Sequence, residues 1–184
     1  MKKYIVSIVA LGLLSVAQVQ AQGWIDLNTY DSSYQIYQGT DLAAGGSASI
    51  EVFGGATSSS MSAITAFGIG TIFPVGQGSA GDGNFDAGYG SVTGVGAFTG
   101  GYFQVEVWSG AATYAAALTT PGAWFGETGI FTSTTGDASL PPSVPTTGTL
   151  DMTSDIHLTQ VPEPATFVLA GLGMAALLAL RRRS

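Results

Sequence analysis

Twelve carboxylates, one histidine and five Lys or Arg are the whole charged inventory of this 184-residue chain. Carboxylate pairs can divide acid and base work in glycoside hydrolysis. Nothing in the spacing of the 11 that precede Pro162 singles out such a pair. The most patterned group is Asp82, Asn84 and Asp86 in DGNFD. Oxygen-bearing side chains at alternate positions begin an EF-hand-type calcium loop. The pattern then stops, because the sixth position is Ala87 rather than Gly and the twelfth is Thr93 rather than Glu. An Asx/Gly-rich turn between strands accounts for the same residues, and calcium held here would be structural. His157 has no second histidine to work with, which favours a solvent-facing strand residue over a metal ligand or base. Tyr102, Gln104, Glu106 and Trp108 alternate along one strand face. Aromatic rings beside polar side chains can stack on a sugar, but a strand covered by a loop shows the same pattern. No nucleophile, base and orienting group come together. The chain therefore reads as a non-enzyme without a cofactor, structural calcium aside, with a small carboxylate-based hydrolase as the alternative.

The positions of the basic residues narrow the function further. They are Lys2, Lys3, Arg181, Arg182 and Arg183, so every one lies at an end of the chain. The formal net charge of the whole is −7, but residues 22–161 alone carry a charge near −11 with only His157 as a basic side chain. Neutralising nucleic-acid phosphates needs Lys or Arg, so no nucleic acid is expected as a partner. The same lack removes the usual side-chain donors to phosphate. With no cysteine, disulfides and thiolate chemistry are excluded too.

The segments that carry these residues fall into three parts. Met1 to Ala21 has a charged start, an apolar run from Ile5 to Val16 and small residues ending in Val19-Gln20-Ala21. This is the plan of a secretory signal peptide handled by the Sec machinery, cleaved between Ala21 and Gln22. The exported domain is 22–160, about 140 residues and enough for one core. Its apolar residues come in short runs between glycine-rich turns, the all-β pattern. Strands are expected at Trp24–Tyr30, Tyr34–Tyr37, Ser47–Phe53, Met61–Gly68, Thr71–Val75, Ser91–Phe98, Gly101–Trp108, Glu127–Thr132 and Thr149–Val161. A long turn-rich loop is expected at Gly76–Gly90, a short helix at Ala111–Leu118, and a proline-rich loop at Thr134–Gly148. The predicted class is all-β, an antiparallel β-sandwich of jelly-roll or Ig-like type, with an N-terminal signal helix and a C-terminal transmembrane helix.

Residues 161–184 close the chain with VPEPATFVLAGLGMAALLALRRRS. Ala165 to Leu180 is uncharged, and as a helix it spans roughly 24 Å, short of the ~30 Å hydrocarbon core unless the bilayer thins. The arginines after it would stay cytoplasmic. The order Pro162-Glu163-Pro164, apolar run of about 165–180, then Arg181, Arg182 and Arg183 resembles the bacterial PEP-CTERM protein-sorting signal. The stretch YFQVEVW to IFTSTT, within Gly101–Thr135, is similar to a domain common among such proteins, of unassigned function. The first resemblance implies recognition by a membrane-embedded exosortase and cleavage near the motif. It also implies passage from a membrane-anchored precursor to the cell surface or extracellular matrix, often alongside exopolysaccharide. The expected function is thus structural or adhesive within extracellular polysaccharide, with a carbohydrate-binding module, calcium-assisted or not, as the alternative.

Overall fold

The computed structural model describes residues 22–29, 34–78, 80–137 and 148–181. The expected signal peptide with Ala21, most of the proline-rich loop, Arg182 and Arg183 lie outside the described residues. In chain order the strands are β1 (Gln22–Asn28), β2 (Ile36–Gln38), β3 (Asp41–Leu42), β4 (Ser49–Gly55), β5 (Ser62–Ala63), β6 (Ile72–Pro74), β7 (Asp86–Gly96) and β8 (Gly100–Ser109). After the one-turn helix α1 (Tyr114–Ala117) come β9 (Trp124–Glu127), β10 (Phe131–Thr134), β11 (Gly136–Asp137), β12 (Gly148–Thr149) and β13 (Ile156–Gln160). Helix α2 (Pro164–Arg181) follows.

The protein is mostly β, built from two sheets. In the smaller, β1 pairs β7 along one edge, and on its other edge meets β11 antiparallel and then β12 parallel. The larger runs β3-β2-β13-β9-β8-β4-β5, with β10 also on β8 and β6 also on β4. Strand β8 is its spine, paired with β4 over seven positions from Ser49↔Trp108 to Gly55↔Tyr102. Period-two alternation decides which side chains go inward. Ile25 and Leu27 of β1, Ile50 and Val52 of β4, and Phe103, Val105 and Val107 of β8 are all fully buried. They join one hydrophobic cluster drawn from both sheets.

Several expectations need correction. Two pairings are parallel, β12 with β1 in the smaller sheet and β13 with β2 in the larger, so both sheets are mixed rather than antiparallel. The expected strand Thr149–Val161 is two strands. Its alternation holds, since Leu150, Met152, Ile156 and Leu158 are all buried. Between them the chain bends, with the Met152 N–H donating to Leu150 O at 2.9 Å, and passes from one sheet to the other. Glu127–Thr132 is also split. Thr128 takes the Val105 N–H on its hydroxyl at 2.9 Å and gives its own N–H to Val105 O at 3.0 Å. A side chain thus stands in for a carbonyl and the ladder restarts at β10. The expected strand Met61–Gly68 is reduced to Ser62–Ala63 and an isolated bridge at Ala66. The expected helix at Ala111–Leu118 is one turn, capped by the Thr113 hydroxyl on the Ala116 N–H.

The largest difference is β7, which runs 11 residues through what reads as a loop and a weak strand. Its glycines disguise it. Gly88 and Gly94 adopt φ of +70° and +75°, and the β1–β7 register slips between Asp26 and Asn28 and between Gln22 and Gly23. These are bulges, where glycine is the natural occupant. Gly90 is needed for space, because a Cβ there would collide with Ile64 Cγ2 and stand 3.2 Å from Leu27 Cδ1. Gly90→Ala should therefore cost about 1–3 kcal/mol by overpacking. Chemical denaturation checks this, and combining it with Ile64→Ala should give less than the sum of the two single losses.

Candidate functional site

The sorting segment begins where the larger sheet ends. Strand β13 runs antiparallel to β9, with Thr159 opposite Phe125 and Gln160 opposite Trp124. One further step follows, in which the Val161 N–H donates to Ala123 O at 2.8 Å and the Gly122 N–H to Val161 O at 2.9 Å. The Gln160 side-chain amide donates to Gly122 O at 3.3 Å. Pro162 has no N–H and stops the ladder. Pro162 and Glu163 are both exposed, and Pro164 is the first residue of α2, where a proline fits without losing a hydrogen bond. Only two residues therefore separate the sheet from the helix. Glu163 lies over the turn before β9, with its Oε1 3.0 Å from where a Cβ on Gly122 would be.

Helix α2 covers the segment expected to be helical. Its 18 residues make about 27 Å against a ~30 Å hydrocarbon core. Among the described residues no helix is long and apolar enough to cross a membrane. Val168, Leu169, Leu172 and Met174 of α2 stand 59–69% exposed. Arg181 closes the last turn, where a cation suits the helix dipole.

The other sequence candidates are dispersed. Gln22, the expected mature start, is the exposed first residue of β1. Tyr102 is 38% exposed and Gln104 half-buried on the outer face of β8, but Trp108 is only 1% exposed. Ala117 and Ala123 pack on its ring, and Tyr114 meets it edge-on at 6.3 Å. The expected three-residue sugar platform is corrected accordingly, because the indole is covered by α1 and the turn before β9. Asp82, Asn84 and Asp86 make hydrogen bonds to main-chain groups, one of them in a separate turn. Asp82 Oδ1 accepts the Gly45 N–H at 2.7 Å, the Asn84 amide donates to Asp82 O at 3.2 Å, and Asp86 Oδ1 accepts the Gly88 N–H at 3.1 Å. Among the described residues no three His, Cys, Asp or Glu group so as to hold a metal ion. His157 is exposed on β13 and stacks on Tyr37, ring centres 4.9 Å apart.

Register creates one constellation absent from the sequence reading. Glu51 of β4 is opposite Glu106 of β8, and Glu106 is opposite Glu127 of β9. Three carboxylates thus cross the outer face of the larger sheet in one row. Burial, then the neighbouring charges of Glu127 and Glu51, push the Glu106 carboxyl above its usual range. Burial alone does the same to Glu51. Glu127 takes a hydrogen bond from the Gln104 amide at 3.1 Å. The Tyr114 phenol is pushed up to about 12, first by burial and then by the charges of Glu127 and Glu106. Chemically the row is a store of repulsion, relieved by protonation. Elsewhere a cavity of about 260 Å³ is lined, among the described residues, by Phe98, Thr135 and one carboxylate, Asp151.

The sign of the Glu106 effect follows from linkage. A raised folded pKa means the folded chain holds the proton more tightly than the unfolded chain. That stability is fully present below the ordinary carboxylate pKa and is lost as pH rises through the raised one. Glu106→Gln should therefore raise stability at neutral pH, by up to about 0.5 kcal/mol at this solvent-screened position. It should also reduce the gain the native chain shows on mild acidification, and urea midpoints at pH 7 and pH 5 compare the two.

The comparisons with known proteins meet the chain at its end. A family model described as the PEP-CTERM protein-sorting motif matches residues 160–183. No curated protein and no solved structure matches the chain. The matched stretch begins at the last residue of β13 and contains Pro162, Glu163, Pro164 and all of α2. The chain thus ends in a PEP-CTERM sorting motif, a segment that supports export as a membrane-anchored precursor and sorting by an exosortase.

Proposed function

We propose that this is a non-enzymatic surface or matrix protein, delivered by its tail and acting structurally or adhesively among extracellular polysaccharide. The observation that carries this reading is a matched sorting motif joined directly to an acidic β domain. In it, Met1 to Ala21 is removed as a Sec signal peptide, and 22–160 is the working domain. Two sheets sharing one core support a β-sandwich, of jelly-roll or Ig-like type, for that domain. In the precursor, α2 enters the bilayer with local thinning and with Arg181–Arg183 snorkelling to the cytoplasmic face. Uncompensated acidic charge keeps an apolar, glycine-rich domain soluble after release.

Sugar binding is the second reading, supported by exposed Tyr102 beside Gln104. It would be a shallow site, since one anchor of the expected platform is buried. A glycan array, run with and without calcium, should show at most weak binding that Tyr102→Ala removes.

Replacing Pro162 and Glu163 together by Ala should leave α2 attached and the protein in the membrane fraction. The native protein should be released without α2, and mass spectrometry of both would read the termini directly. Normal release of the double variant would overturn the reading.

A further inference from the structure

We propose that processing of the folded precursor is gated by the end of β13: the sorting motif becomes a substrate only when Gln160 and Val161 unzip from the 122–124 segment. The inference rests on the reading of residues 160–183 as an exosortase-processed signal.

The argument starts from how little chain is free. A protease takes its substrate extended, with backbone groups on both sides of the scissile bond available to pair with the enzyme. Here the residues with no sheet or helix partner are Pro162 and Glu163, spanning about 7 Å. On the N-terminal side, the Val161 N–H and C=O are both taken, by Ala123 O at 2.8 Å and the Gly122 N–H at 2.9 Å. Gln160 is tied by its pairing to Trp124 and by its side chain to Gly122 O at 3.3 Å. β13 is an interior strand of the larger sheet, paired with β2 over Ile156–Leu158 and with β9 at Thr159 and Gln160. On the C-terminal side the helix has begun at Pro164. Glu163 itself lies over Gly122, a turn residue at φ +79°, with its Oε1 3.0 Å from where a Cβ on that glycine would stand. The domain thus holds the motif against its own surface, without a linker.

The end of this strand is also where opening is least costly. Strand ends fray at lower free energy than strand centres, and cleavage that waits on a brief opening follows the population of the open form. Folding of the exported domain and removal of its anchor are coupled through these bonds.

The chain has no cysteine, which makes a reversible lock available. Gln160 and Trp124 face each other across β13 and β9. They are the pair next to the hydrogen-bonded step at Val161 and Ala123, a spacing that brings Cβ atoms within disulfide reach. The test uses the full-length precursor carrying Gln160→Cys and Trp124→Cys, in membranes containing the exosortase. Release should fall roughly tenfold or more in the oxidised form relative to the same protein reduced, since cleavage follows the open population. A separate precursor with about six Gly/Ser residues inserted between Val161 and Pro162 should be released faster than the native chain. Equal rates for the oxidised and reduced forms, or no acceleration from the insertion, would overturn the gate while leaving the motif's role intact. Release that ignores Pro162→Ala with Glu163→Ala would instead overturn the sorting reading beneath it.

Discussion

The domain between the two chain ends must hold together without charge pairing by Lys or Arg and without a disulfide, because residues 22–161 contain no Lys, Arg or Cys. Buried apolar side chains and backbone ladders take the place of such pairs and bridges. That explains the weight placed on β8. It contributes Phe103, Val105 and Val107 to the main core and Trp108 to a second small cluster beneath α1. It also carries backbone pairing on both edges, to β4 on one side and to β9 and β10 on the other. Hydroxyls take over where the ladder breaks. The buried Thr135 hydroxyl donates to Gly96 O at 2.6 Å, and Thr128 stands in for a carbonyl opposite Val105.

The same constraint gives the acidic residues their character. In a domain with bases to spare, Glu51, Glu106 and Glu127 would be flanked by partners across the strands. Here the row is bordered by Gln104, a neutral donor that solvates Glu127 without neutralising it. Like charges directly opposite on a sheet are unfavourable, so the row lowers stability at neutral pH. It persists on a sheet whose inner face is densely apolar.

Much of the inward and outward assignment was legible because alternation is local. Ile25 and Leu27, Ile50 and Val52, and Leu150, Met152, Ile156 and Leu158 all face inward as the pattern requires. Trp108 shows the limit. Alternation puts it on the face of Gln104 and Glu106, and only the packing of a helix turn six residues later makes that position a second core. The glutamate row was illegible for a similar reason. Its members lie on three strands far apart in sequence, and nothing local states which strands will be neighbours. The hint available was a glutamate between apolar pairs, Ile50-Glu51-Val52 and Val105-Glu106-Val107, which marks an outward position on a central strand. β7 was missed because Gly88, Gly90 and Gly94 read as turn residues until their bulges and the nearness of Ile64 are seen.

By itself the sequence determined the sorting motif at residues 160–183. The order of prolines, apolar run and arginines is a linear pattern that survives any arrangement of the residues before it. It also determined that residues 22–161 are β-rich and acidic, since period and composition are local properties. Only the tertiary structure decided how the sorting motif is presented. Val161 meets Gly122 and Ala123 across nearly 40 residues of chain. That meeting depends on strand order in the sheet, which places β9 beside β13 and so brings the fold to within two residues of α2.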